Sequence, residues 1–480
     1  MKWKDKFILK LNLEDESQRI IIDSSGLLLS SEFTSFLSDN KFDFAVVSTF
    51  KSLLEAETNK TKLILSPKND IPHYIQNQYT VTKFDLSDLP YNIDFEVLKK
   101  LTIPEIIHLL NYVSTENEHL PVNPKNAETI LSLAINYSIQ KQISDSYIQI
   151  NQILNSPAHY NKILKIGILW GELLYLCFKI GVSPDIEIQN KIDSYSTEYI
   201  LSGSLKNIFY EHYSNIKSVD KIIAYLKSKV KNKTALICFD CLGVAEWFLL
   251  KDFLFSLGFQ YYEHFIYSLI PSITLFSRNV IFSGNYNDVW ELKTNSGEEK
   301  ALSNNFPEME VTMFREKHTL TSDSFLGIDF ITIIYTFFDD IAHSVHFPAK
   351  AEKTKELYFK QIFEYLQKSN IKETLLLLKK EGYQIYFCSD HGSVVAEGIG
   401  KAVDKFLIDK SSKRASYVTA STLLENLKYK QYEIPFIKDK IVLLPEGRTM
   451  FHTKGTVGIT HGGITVEEII VPFIELKVKS

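Results

Sequence analysis

The chain has 480 residues, 45% of them hydrophobic, with 32 Phe and 25 Tyr, which excludes a disordered protein and allows two or three domains with full cores. Lys plus Arg (53) nearly balances Asp plus Glu (58), so no overall charge advertises nucleic acid or a membrane surface, although the sum is blind to a local basic groove. Four cysteines, Cys177, Cys238, Cys241 and Cys388, are too few for a disulfide framework and suit a reducing compartment.

The first residues, MKWKDKFILKLNLEDE, lack the apolar core of a secretory signal. The longest apolar stretch, Ile166 to Phe178, is broken by Glu172 and falls short of the roughly 20 residues needed to cross a bilayer, so it reads as a buried helix. The expectation is a soluble, cytoplasmic protein with no membrane partner. Residues 19–23, 44–47 and 62–65 read as short strands, with helices carrying Phe33, Phe36 and Leu37 and spanning Lys51 to Thr58 between them. This βαβαβ rhythm predicts a small α/β domain over 1–99. Asp23-Ser24-Ser25-Gly26 lacks acidic partners and a glycine fingerprint, so a strand-end turn is the favoured reading over a ligand site.

From about residue 98 the period becomes helical, opening on the capping box Thr102-x-x-Glu105 with Pro104 in the first turn. Segments 103–113, 126–142, 144–155, 161–182 and 192–230 carry apolar residues at helical spacing, which predicts a helical region over 100–230. His108, His119, His159 and His212 are scattered without ligand spacing and read as ordinary histidines. The alternate lysines Lys227, Lys229, Lys231 and Lys233 read as a solvated helix end.

After residue 231 the pattern changes again. Thr234 to Phe239 is a buried-strand run that stops at Asp240, where ligands gather in open α/β sheets. Cys238-x-x-Cys241 has redox or zinc spacing, but with no second pair nearby it reads as strand packing. Pro271-Ser272-x-Thr274-x-x-Ser277-Arg278 follows, then an apolar run over 330–338 ending at Asp339-x-x-x-His343, whose two ligand types share one face of a helical turn. A further strand-like run ends at Ser389-Asp390-His391-Gly392, and the last motif is His461-Gly462-Gly463-x-Thr465-x-Glu467-Glu468-x-x-Val471-Pro472. Carboxylates and imidazoles at separated strand ends are the donor types of zinc and its neighbours.

Over roughly residues 231–480 these motifs resemble the PglZ domain, a branch of the alkaline phosphatase superfamily. The resemblance implies an α/β fold, an alkaline-phosphatase-like mixed or parallel sheet flanked by helices, here preceded by the small α/β domain and the helical region. It implies two divalent metal ions, zinc or else manganese. One would be held by Asp240, Asp390 and His391 beside the nucleophile Thr274, and the other by Asp339, His343 and His461. Thr274 matches the nucleophile of the phosphodiesterase members better than Ser272 does. The Cys/Ser-x-Pro-x-Arg setting of sulfatases is absent, and phosphoglycerate mutases use Ser where this chain has Thr274. Arg278 is a candidate either to neutralise a phosphate oxygen or to cap a helix. Arg414, Arg448, His346 and His452 are lesser candidates for the cleft rim, with His452 the rival to His461. The polar segment 285–328 falls where the superfamily often carries a cap. The implied activity is phosphodiester hydrolysis on nucleotides or oligonucleotides in bacterial anti-phage defence. The alternative is a low-turnover metal-binding scaffold that docks protein partners in a defence or signalling complex.

Overall fold

The computed structural model describes residues 2–13, 17–115, 119–210, 216–229, 233–286, 295–344, 346–347, 351–400, 410–419, 429–434 and 440–478. It divides into two compact units, Met1–Gln142 and Ile143–Ser480. Sequence periodicity suggests three parts instead, with a helical region over 100–230. Periodicity reports that a helix has an apolar face, not which body that face packs on. The helix Ile103–Val113 shares a core with the N-terminal sheet, whereas Tyr160–Ile180 and Ile186–Leu201 lie in the second unit. Segments 126–142 and 144–155 are one helix, Ala127–Leu154, because neither Gly nor Pro interrupts it.

In the first unit, β1 (Arg19–Asp23), β2 (Phe44–Val46), β3 (Leu63–Ser66) and β4 (Thr80–Phe84) form a parallel sheet in the order β2-β3-β1-β4. Alternate residues of β1 and β3 serve opposite faces. Ile21, Leu63 and Leu65 join a core around Trp3, Phe7 and Phe33, while Ile20, Ile22 and Ile64 pack on Val47, Leu53 and Ile75. Asp23 is fully buried, and its carboxylate accepts from the backbone N–H groups of Ser25, Gly26 and Leu28 at 2.9, 3.1 and 2.7 Å. It ties a turn, the role the sequence favours.

The second unit is built on six strands: β5 (Thr234–Phe239), β6 (Phe259–Tyr267), β7 (Val311–Arg315), β8 (Phe330–Tyr335), β10 (Gln384–Ser389) and β18 (Ile470–Val478). Their order is β6-β18-β10-β5-β8-β7. β10, β5, β8 and β7 run parallel, and β18 is antiparallel to both β10 and β6. The central strands β5 and β8 are buried at every residue, as near-continuous apolar runs require when helices cover both faces. The stretch 285–328 is not wholly a cap, since β7 within it pairs with β8 and edges this sheet; residues 287–294 lie outside the described set.

The larger departure from the main sheet follows Gly392. β11 (Val394–Gly398) and β17 (Val457–Thr460) form an antiparallel pair, Val394 opposite Thr460, joined by β16 (Thr449–Met450) and β9 (His346–Phe347). Between them β12 (Lys410–Ser411), β13 (Ser416–Thr419), β14 (Lys430–Glu433) and β15 (Lys440–Leu444) make an antiparallel sheet of their own. The insertion therefore leaves the core one residue after His391-Gly392 and returns directly into His461.

No helix among the described residues is long and apolar enough to cross a membrane, and Ile166 to Phe178 lies within the helix Tyr160–Ile180.

Candidate active site

Topology explains why these motifs meet. β5, β8 and β10 are parallel, and β6 shares their direction through β18, so the segments after all four emerge at one edge of the sheet. Asp240 follows β5, Thr274 follows β6, Asp339 and His343 follow β8, and Asp390-His391 follow β10. β18 runs the opposite way, so its contribution must precede it, and His461 does.

The structure brings the six candidate ligands into two groups, Asp240 with Asp390 and His391, and Asp339 with His343 and His461, each with its donor atoms within 4.8 Å of one another. The first group is buried throughout, and the second is partly open, with His343 41% exposed. The rings of His391 and His461 stack at 4.0 Å and join the two groups.

Each group has its ligand atoms pre-aimed. His391 Nδ1 faces the carbonyl of Gly392 at 3.1 Å, and His461 Nδ1 faces that of Ser272 at 3.2 Å. A carbonyl can only accept, so Nδ1 carries the hydrogen in both rings and Nε2 keeps its lone pair. His391 Nε2 lies 3.5 Å from Asp240 Oδ1 and 3.8 Å from Asp390 Oδ2, and His461 Nε2 lies 3.5 Å from Asp339 Oδ1. Asp390 Oδ1 accepts from the N–H groups of Cys241 and His391 at 3.2 and 3.0 Å, leaving Oδ2 buried with no hydrogen-bond donor among the described residues; Asp339 Oδ1 is in the same position. Orphaned carboxylate oxygens beside imidazole lone pairs fit a cation and fit little else.

The electrostatics agree. Burial, with Asp240 close by, pushes the Asp390 carboxyl well above the usual range. Burial, then Asp240 and Asp390, pushes Asp339 up to about 8. Burial lowers His391, and burial together with His391 lowers His461 to about 3. The protein alone disfavours the Asp339 and Asp390 carboxylate charges, which a divalent cation would stabilise.

Thr274 begins the helix Thr274–Ser283, and its hydroxyl lies 2.8 Å from His391 Nε2 and 3.4 Å from Asp240 Oδ1. Ser272 is fully buried and turned away. Its hydroxyl donates to the Gly463 carbonyl at 3.0 Å and accepts from the Gly462 N–H at 3.1 Å, so it clamps the loop that carries His461. Arg278 lies inside the helix rather than at its cap. Its Nη1 donates to Asp240 Oδ2 and its Nε to Glu298 Oε1, both at 2.7 Å. Glu298 also accepts from Arg315 at 2.9 Å, and nothing in its local sequence marks it for this role.

Gly392 follows the ligands for a reason other than a turn. A Cβ there would stand 2.1 Å from the Glu467 carbonyl oxygen, so only glycine lets the two backbones approach. Gly462, by contrast, has a φ of 107°, which side-chain-bearing residues rarely adopt.

The remaining motif residues hold this arrangement. Arg414, 1% exposed, pairs bidentately with Glu468 at 3.0 Å, and Glu468 also accepts from the Gly463 and Thr465 N–H groups at 2.8 and 3.1 Å. Arg448 pairs with Asp193 and Glu467, each at 2.8 Å, and Glu467 accepts from Trp170 Nε1 at 2.7 Å. Both arginines, expected at the cleft rim, are internal struts. Neither ligand group includes His452, and the His346 side chain lies outside the described set. All four cysteines are buried thiols.

Two solved structures similar to this chain are of a murine ectonucleotide pyrophosphatase/phosphodiesterase 5. One is 11% identical, covers 50% of this chain and 87% of its own, and superposes with a TM-score of 0.33. The other, an inactive variant in complex with AMP, is 10% identical, covers 51% and 88%, and also gives 0.33. No curated protein matches the sequence. The family described as the BREX system PglZ alkaline phosphatase-like domain matches residues 219–476, more than half of the chain. The chain belongs to that PglZ family.

Proposed function

We propose that this protein is a metal-dependent phosphohydrolase, a phosphodiesterase acting on nucleotides or oligonucleotides in bacterial anti-phage defence. The observation that carries this reading is the convergence of two donor groups at one sheet edge, with the Thr274 hydroxyl against the His391 and Asp240 donors of the first. Asp240, Asp390 and His391 would hold one cation, and Asp339, His343 and His461 the other. Bound there, zinc or manganese supplies Lewis-acid stabilisation of charge on phosphoryl oxygens and lowers the pKa of a neighbouring hydroxyl.

The chain's own residues do the rest. Thr274 presents its oxygen at the amino end of a ten-residue helix, where the positive end of the dipole favours the alkoxide form. Attack of that oxygen on phosphorus forms a Thr–O–P bond as the P–O bond to the leaving alkoxide breaks, the Thr274 proton passing through solvent to that alkoxide, and water then cleaves the ester to restore Thr274. Arg278 opposes the Asp240 charge and fixes the orientation of that carboxylate. The Gly392 and Ser272 carbonyls keep both imidazoles in the tautomer that points Nε2 inward.

The test is hydrolysis of a bis-aryl phosphate and short oligonucleotides by the zinc- or manganese-loaded protein. Thr274→Ala should fall to the background rate while retaining both metals, and Asp390→Ala should lose activity together with one metal. Wild-type rates in both variants would sink the reading.

A further inference from the structure

Resting on the phosphohydrolase reading, a question of charge remains: which side chain meets the anionic phosphate oxygens? Arg278 has the right chemistry, but its Nη1 and Nε are already taken by Asp240 and Glu298. Arg315 is drawn to Glu298, Arg414 to Glu468, and Arg448 to Asp193 and Glu467.

Lys413 is placed differently. It lies in the turn between β12 and β13, within the insertion that springs from His391-Gly392 and ends at His461. The turn is stiff. The Ser412 N–H donates to the Ala415 carbonyl at 2.7 Å, and the Ser412 hydroxyl accepts from the N–H groups of Arg414 and Ala415 at 3.2 and 3.0 Å. The Lys413 carbonyl accepts from the Phe451 N–H at 2.6 Å. Both neighbours of Lys413 pack against the loop after His461. A Cβ on Gly462 would stand 2.5 Å from Ser412 Oγ, and one on Gly463 would stand 2.5 Å from Arg414 Nη2. Arg414 is itself anchored by Glu468.

Lys413 is thus pinned on both flanks beside the partly open metal group. Among the described residues its ammonium makes no ion pair, and the carboxylate that acts on it is that of Asp339. The Lys413 side chain is half-buried, so its ammonium is incompletely solvated and gains most from an anion brought to it. We propose that Lys413 is the substrate-binding cation of this site, contacting an anionic phosphate oxygen and carried in by the insertion.

The experiment uses the full-length, metal-loaded protein with inorganic phosphate as the binding probe, followed by steady-state kinetics on a mono- and a bis-aryl phosphate. Lys413→Gln and Lys413→Ala should weaken phosphate binding about ten- to a hundredfold, the range for a charge-assisted hydrogen bond. Both should raise KM more than they lower kcat, with the larger effect on the dianionic monoester. Bound metal should stay at the wild-type level, and Lys413→Arg should restore most of the phosphate affinity. Unchanged phosphate affinity in the Gln and Ala variants would overturn the proposal. So would loss of metal at normal phosphate affinity, which would make Lys413 a counter-ion to Asp339 alone. Wild-type protein that takes up metal but neither binds phosphate nor hydrolyses either ester would instead overturn the phosphohydrolase reading itself.

Discussion

Glu468→Gln tests whether the ion pair behind the His461 loop organises the second metal group. Glu468 is fully buried and accepts five hydrogen bonds: two from Arg414, and one each from the Gly463 N–H, the Thr465 N–H and the Thr465 hydroxyl. Glutamine keeps the shape and one acceptor oxygen, but it removes the carboxylate paired with the 1%-exposed Arg414 guanidinium. Breaking a buried pair by removing one partner costs about 3–5 kcal/mol, and the retained oxygen places this variant near 3 kcal/mol. For a unit of this size that corresponds to a melting temperature lower by about 5 °C. The loss should depend on pH in a defined sense. Burial disfavours the Glu468 charge, but Arg414 and the surrounding hydrogen bonds outweigh it and hold the carboxyl below its ordinary value. A depressed carboxyl contributes stability above its unfolded pKa of about 4.3, and that contribution vanishes as pH falls through the folded pKa. The gap between wild type and variant is therefore widest at neutral pH and closes in acid. Denaturant titrations at several pH values measure it, and metal analysis of the same samples should show the His461 group depleted before the Asp390 group. A variant with wild-type stability at pH 7 and both metals bound would refute the argument.

Other perturbations have equally direct outcomes. Losing either Asp390 or His391 should empty one metal site and leave the other at least partly filled, which metal analysis reads; full retention of both metals would contradict the assignment. In metal-free protein, Asp390→Asn should raise stability by about 1–3 kcal/mol, because it removes a buried charge whose second oxygen has no donor among the described residues. Since that carboxyl is raised, the gain should grow as pH climbs above the unfolded value near 3.9, and metal should abolish it. Gly392→Ala must displace the Glu467 backbone, costing about 1–3 kcal/mol in thermal or denaturant unfolding, and it should loosen both metal groups together. Glu298→Gln should leave both metals bound but lower kcat, because Arg278 loses the partner that aims it at Asp240.

Much of this was legible in one dimension because it is local chemistry. The apolar runs before Asp240 and Asp390 are strands ending on carboxylates, the run before Asp339 is a strand followed by the first turn of a helix, and the parallel rhythm of residues 19–84 needs only alternation and turn residues. The six ligand candidates and Thr274 could be named because each sits beside a strand end or in a motif of its own. Their grouping came from family resemblance, and the reason for it is visible only in the sheet. An antiparallel β18 at that position makes a residue before its strand converge with residues after four others.

Tertiary structure alone decided the rest. It drew Arg278 to Glu298 across 20 residues and Arg414 to Glu468 across 54, distances at which sequence patterning carries no signal. It turned Ser272 from a rival hydroxyl into a clamp on the His461 loop, and showed that Gly392 is needed for a close backbone approach. It also made β7 part of the sheet and raised the larger insertion after Gly392, which carries Lys413 back to the site. The sequence by itself determined which residues have the chemistry, because side-chain type and strand ends are local properties. Only the folded chain decided which charges are already paired and which are left to meet a metal or a substrate, because pairing depends on through-space distance between buried groups.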